Sequence, residues 1–204
     1  MNVVPQKIVS FLGEAGVGKT SIIFSRLSGS INEIHTETIT TERFHEPKED
    51  NIFSKLNNID IIYFDTAGQE RFRSLSALSV RESSIIVLVF DLFAIATLQA
   101  IPSFYQFVND YVNQNVKLIL VGNKYDLLNQ NDEAEIFESA KRMAEKLGCS
   151  FIAISALEGG DSIRPLFVKI AQLLSEDLDE EIESTPNKVI KIDASGKEEK
   201  DSCC

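Results

Sequence analysis

The stretch Gly13-Glu14-Ala15-Gly16-Val17-Gly18-Lys19-Thr20 follows the pattern G-x-x-x-x-G-K-[ST]. Residues of these types at this spacing can cradle a phosphate. The glycines let the backbone curl until several N–H groups point inward at an anion. Lys19 brings positive charge for the β and γ phosphates, and the Thr20 hydroxyl is a ligand for Mg²⁺. A helix that starts here adds the positive end of its dipole. The competing reading is a chance glycine-rich turn, expected in roughly one chain in a hundred of this length.

Two further motifs bear on the same chemistry. Asp65-Thr66-Ala67-Gly68-Gln69-Glu70 follows the apolar run Ile59–Phe64. A carboxylate at a strand end opposite a phosphate loop would hold Mg²⁺ through water. Gly68 would bring its N–H to the γ phosphate, and Gln69 would orient an attacking water. Asn123-Lys124-Tyr125-Asp126 follows Val116–Val121. An ionised Asp126 accepts the N–H donors of a guanine edge, which adenine lacks, and a buried carboxylate left unpaired by the wrong base is costly. Lys124 would lay its stem along the ring, and Asn123 would tie this loop to the phosphate loop. Ser155-Ala156-Leu157 would offer a backbone N–H to the guanine O6. Alone, Asn-Lys-x-Asp is a weak pattern, and Asp65 alone reads equally well as a turn former. In this order, each at a strand end, they reinforce one another.

The elements that must position these residues alternate in type. Short apolar strands are predicted at Lys7–Leu12, Ile59–Phe64, Ile85–Phe90, Val116–Val121 and Phe151–Ile154. Helical spacing runs through Thr20–Leu27, Phe104–Tyr111, Ala134–Leu147 and Pro165–Leu174, with Pro165 expected in a first turn. An edge strand near Ile39–Phe44 is expected to run antiparallel, and His45–Asn58 reads as a polar loop or hairpin. The expectation is an α/β fold. It has a mostly parallel six-stranded sheet, one antiparallel edge strand and helices on both faces. Ligands of such sheets bind beyond the C-terminal strand ends, where all the motifs fall.

These motifs resemble those of the Ras superfamily of small GTPases, over about residues 7–175. The run Asp-Thr-Ala-Gly-Gln-Glu-Arg-Phe-Arg at 65–73 resembles the Rab family in particular. The resemblance implies a three-layer P-loop G domain that binds and slowly hydrolyses GTP with Mg²⁺, as a monomeric switch in vesicle trafficking. It implies a switch threonine as a third Mg²⁺ ligand; Thr36, Thr40 and Thr41 compete for the place, and Thr38 is preferred because Thr38-Ile39 reproduces the family's Thr-Ile pair. It also implies an exchange factor, a GTPase-activating protein, an escort protein, a GDP-dissociation inhibitor and effectors. The terminal Cys203-Cys204 resembles a Rab tail with two geranylgeranyl groups. That would put the protein on the cytoplasmic face of intracellular membranes, with an inhibitor-bound cytosolic pool. Two lipids matter because one chain gives only marginal, reversible membrane binding. The alternative is a membrane-tethered scaffold that holds nucleotide without cycling.

Composition fits this picture. The chain has 204 residues and a formal charge of −11, which argues against nucleic-acid binding through a broad basic face. Its longest apolar run, Ile85–Phe90, is six residues, far below the roughly 20 that span a bilayer. Three cysteines, two of them terminal, make no disulfide framework. From Glu176 onward there are ten acidic residues, four lysines and no aromatic. The expected organisation is a G domain over 1–175 and a disordered acidic tail over 176–204.

The departures from the Rab pattern concern the switch segments. Thr40 stands where Gly is usual, Phe64 where Trp is usual, and Ser79-Val80-Arg81-Glu82-Ser83 replaces Tyr-Tyr-Arg-Gly-Ala. Ile31 occupies the place of an aromatic residue that stacks on guanine in small GTPases. Loss of that stacking, on the order of 1 kcal/mol, speeds nucleotide release roughly tenfold. Ile31→Phe should therefore slow GDP release in a stopped-flow exchange assay, and an unchanged rate would remove Ile31 from the account.

Overall fold

A computed structural model describes residues 4–29, 42–47, 51–66, 80–112 and 116–184. In chain order these form β1 (Gln6–Leu12), α1 (Lys19–Ser28), β2 (Glu42–His45) and a 3₁₀ turn (Asn51–Leu56). They continue as β3 (Asp60–Asp65), β4 (Ile85–Asp91), α2 (Ala96–Tyr111) and β5 (Lys117–Asn123). A second 3₁₀ turn (Tyr125–Leu127), α3 (Gln130–Leu147), β6 (Ser150–Ala153) and α4 (Gly160–Ser184) complete the described chain.

The sheet order is β2-β3-β1-β4-β5-β6. Every pairing is parallel except β2 with β3, so the expected six-stranded architecture is the one observed. The centre of the sheet explains itself from its residues. All seven residues of β4 are buried. Ile85, Val87 and Val89 join the core beneath α1 and α4, whereas Ile86, Leu88 and Phe90 join the core beneath α2 and α3. A strand covered on both faces needs a continuous apolar run rather than alternation, and Ile85–Phe90 is such a run. The chain winds outward from β1 in one direction and from β4 in the other. The gap between the β1 and β4 ends is thus where a ligand site is expected in such a sheet.

Three expectations are corrected. The segment His45–Asn58 is not merely a polar connection. His45 closes β2, and the 3₁₀ turn inserts Phe53 and Leu56, 4 % and 3 % exposed, into the core under α4. Pro165 is the sixth residue of α4, outside its first turn. Its ring leaves the Asp161 carbonyl without a helical donor, a defect tolerated because both residues face solvent. The composition break at 176 is not a structural break, because α4 continues to Ser184. Leu178 packs against the core. Lys117 Nζ donates to Leu173 O at 3.1 Å and pairs with Asp177 at 2.7 Å. These contacts hold the helix beyond the point where composition alone suggests fraying.

The partly buried Arg26 guanidinium ties several elements together at the edge of the core. It donates to both carboxylate oxygens of Glu46 and lies over the rings of Phe53 and Phe167, at 5.4 and 5.1 Å from their centroids. The buried Tyr63 hydroxyl donates to the same carboxylate. Burial first, and then the Glu46 charge, pushes the Tyr63 pKa well above its ordinary 10.0. The network joins α1, the end of β2, the first 3₁₀ turn, β3 and α4. Removing one partner leaves a buried charge uncompensated. Glu46→Ala is expected to lower the free energy of unfolding by about 3 kcal/mol in urea titration. Tyr63→Phe should cost only about 1 kcal/mol. A Glu46→Ala protein as stable as its parent would show the network to be ornamental.

Candidate functional site: a phosphate cradle joined to a base pocket

The loop between β1 and α1 carries the phosphate-binding motif. Gly13 has φ +152°, and a Cβ there would lie 2.1 Å from the Val89 carbonyl oxygen. Only glycine lets this loop lie against the β4 backbone. Gly18 has φ +93°, and a Cβ would lie 2.3 Å from Asn123 Nδ2. It precedes α1 without any side-chain cap, so the first N–H groups of the helix stay open to an anion.

Lys19 is 5 % exposed. Its Nζ donates to Gly13 O at 3.0 Å and Glu14 O at 2.8 Å, so the ammonium is curled back over the loop. Burial lowers its pKa from 10.5 to about 8, partly offset by the charges of Asp65 and Glu14. An anionic ligand placed on this ammonium would favour the charged form and return the pKa upward.

The Thr20 hydroxyl donates to Asp65 Oδ2 at 2.5 Å. Asp65 ends β3 and is fully buried. Thr66 fastens this strand end to β1, its hydroxyl donating to Phe11 O at 2.6 Å. A hydroxyl and a carboxylate side by side are hard oxygen donors, and Mg²⁺ takes one or two such protein ligands, completing its shell with phosphate oxygens and water. The donor set therefore fits Mg²⁺. Among the described residues no cluster of three His, Cys, Asp or Glu offers an all-protein metal cage.

The third part of the site lies at the ends of β5 and β6. Asn123, 2 % exposed, donates from Nδ2 to Val17 O at 2.9 Å and accepts at Oδ1 from the Ala156 N–H at 3.0 Å. One side chain thus joins the phosphate loop to both loops expected to hold the base. Asp126 is solvent-accessible, and the Ser155 hydroxyl donates to its Oδ1. Ser155 is itself buried and fixed by its N–H donating to Ser162 Oγ at 2.9 Å. The Leu157 side chain is 66 % exposed. Of the turn Ser155–Leu157, expected to offer a backbone N–H to a base, the Ala156 N–H donates to Asn123 Oδ1.

The structure therefore brings together Gly13–Thr20, Asp65, Asn123, Lys124, Asp126 and Ser155 at adjacent strand ends. Thr38, Gly68, Gln69, Cys203, Cys204 and Ile31 lie outside the described residues. Asp91 was missed by the motif reading. It ends β4 as Asp65 ends β3, and its Oδ2 lies 2.7 Å from Lys124 Nζ. A carboxylate closing a fully buried strand was the signal available. Cys149 is partly buried, and burial pushes its thiol up to about 11, so it has no thiolate character near neutral pH.

Chemically, the arrangement offers the uncapped first N–H groups of α1, a buried ammonium, two oxygen donors for a hard cation and an acceptor carboxylate at the far loop. It is complementary to a nucleotide polyphosphate with a base bearing N–H donors. Comparison with known proteins agrees. The Ras family model matches residues 7–176. The Ras-related protein SEC4 of Saccharomyces cerevisiae is 29% identical over 207 residues, covering 96% of this chain and 90% of that protein. The matched span takes in Gly13–Thr20, Asp65–Glu70, Asn123–Asp126 and Ser155–Leu157, and the chain belongs to the Ras family of small GTPases.

Proposed function

We propose that this protein is a Rab-type switch that binds GTP, hydrolyses it slowly and reports the presence of the γ phosphate to trafficking partners. The observation that carries the reading is the Asn123 side chain, which bonds the phosphate loop and the β6 loop at once. A site that needed phosphate alone would have no use for that tie. The likeness to SEC4, Ras-related by name, supports the family-level part of the reading.

In this proposal Lys19 and the N–H groups of Gly13–Gly18 bind the phosphates, joined by Gly68. Thr20, Asp65 and Thr38 would hold Mg²⁺, which when bound neutralises charge between the β and γ phosphates. Gln69 orients the attacking water. Asp126 accepts the guanine N–H donors, with Lys124 along the ring and the turn Ser155–Leu157 beside it. Slow intrinsic turnover leaves acceleration to an activating protein that supplies further positive charge. Cys203 and Cys204 would carry two prenyl groups for attachment to the cytoplasmic face of intracellular membranes. A GDP-dissociation inhibitor would hold the cytosolic pool, an escort protein would present the chain for lipidation, and an exchange factor and effectors would complete the cycle. Family membership lends no support to a scaffold that does not cycle.

Full-length protein purified without added nucleotide and then denatured should release stoichiometric GDP on ion exchange. Mostly GTP, or no nucleotide, would overturn hydrolysis or binding respectively. Gln69→Leu should cut intrinsic hydrolysis by at least about tenfold while GTP binding persists, and unchanged hydrolysis would remove Gln69 from the mechanism.

The buried Lys19 adds a pH signature. Its pKa in the free site is about 8 and rises when phosphates arrive. At pH 8, GDP binding should therefore take up about half a proton. Affinity should be level below that pH and fall as pH climbs through it. Calorimetry in two buffers of different ionisation heat reads the uptake directly, and zero uptake would contradict the assignment.

A further inference from the structure

Asp91 belongs to none of the nucleotide motifs, yet every polar group it carries is engaged. It pairs in register with Asn123 across β4 and β5. Its main-chain N–H donates to Thr97 Oγ1 at 2.9 Å, and the Thr97 hydroxyl is held by Ala94 O at 2.6 Å. Oδ1 accepts the Phe93 N–H at 2.9 Å, closing a tight turn after β4. Oδ2 is left for Lys124 Nζ at 2.7 Å, with the Asp91 side chain only 10 % exposed. The carboxylate is thus fixed in place by its own loop, independently of the lysine it meets.

Lys124 is a residue that needs such an anchor. It is the one non-glycine at positive φ among the described residues, at φ +66° and ψ +40°. The left-handed backbone disfavours a side-chain-bearing residue. A four-methylene stem also has many rotamers, and a stem free to rotate makes a poor wall for a flat ring.

We infer that Asp91 is a positioning residue for base recognition, its carboxylate holding the Lys124 ammonium so that the stem presents a fixed apolar surface to the base. This rests on the reading of Lys124 as a base contact given under Proposed function. The competing account is purely local, with Asp91 serving only the turn to Phe93. Asp91→Asn separates the two, because an amide oxygen still accepts the Phe93 N–H while the charge is gone. Lys124→Met asks the same question from the other partner, keeping an apolar stem without the ammonium.

The test is the release rate of ribose-labelled fluorescent GDP from the full chain in four variants: Asp91→Asn, Lys124→Met, their combination, and Lys124→Ala. Asp91→Asn and Lys124→Met are each expected to speed release roughly tenfold, the scale of one charge-assisted hydrogen bond discounted for the partial exposure of Lys124. The double variant should be no faster than either, since both remove the same interaction. A parental rate in Asp91→Asn, or effects that multiply in the double variant, would overturn the proposal. If Asp91→Asn does not fold, a parental rate in Lys124→Met overturns it equally. A parental rate in Lys124→Ala would instead bring down the reading of Lys124 as a base contact. That outcome is distinct from one in which Lys124→Ala is fast and Asp91→Asn is not.

Discussion

The arrangement depends most on the Asn123 carboxamide. Its nitrogen and oxygen serve opposite neighbours, Val17 O and the Ala156 N–H, and its main-chain carbonyl accepts the Leu92 N–H at 2.9 Å. Segments that follow β1, β4 and β6 thereby meet at one buried residue at the end of β5. A side chain with one donor and one acceptor end is required, which neither Asp nor Leu of similar size supplies. The glycine at 18 exists partly on its account, since a Cβ there would strike Nδ2. Through this amide, the geometry of the candidate phosphate cradle and that of the candidate base pocket are set together.

Around this tie the site keeps charged groups out of water before any ligand arrives. Lys19 is desolvated and bonded only to carbonyl oxygens of its own loop in the bonds described. Asp65, fully buried, receives the Thr20 hydroxyl. Keeping such groups ready is unfavourable in the empty protein, and the unfavourable part is relieved by a ligand of opposite charge. A polyphosphate, which would relieve Lys19, together with a cation, which would relieve Asp65, would therefore gain more from the candidate site than the surface charge suggests. That fits a chain whose net charge of −11 repels anions at long range.

The parts of the fold set by long apolar runs were readable in the sequence. Ile85–Phe90 and Val116–Val121 are strands because nothing else accommodates such runs between polar turns. The phosphate and base motifs were readable because each needs residue types that local geometry makes hard to replace. What escaped lies where tertiary contacts outweigh local composition. Phe53 and Leu56 sit three apart in a mostly polar segment, and their burial depends on α4 and Arg26, which are remote in sequence. The extension of α4 past residue 175 depends on Lys117 in β5 and on the apolar contact of Leu178. Asp91 gave no motif signal because its partner is the neighbouring strand's next residue rather than a neighbour in the chain.

The Arg26 node also has a bearing on how the protein comes apart. Its members, at positions 26, 46, 53, 63 and 167, come from nearly the whole span of the domain. Contacts of such sequence separation close long loops, and forming them costs loop entropy. Interactions absent from the transition state do little for the speed of folding and act mainly by slowing escape from the native state. Formed after the folding barrier, the node would work as a brake on unfolding. It would then lengthen the native lifetime of a domain whose site residues are tied chiefly to one another.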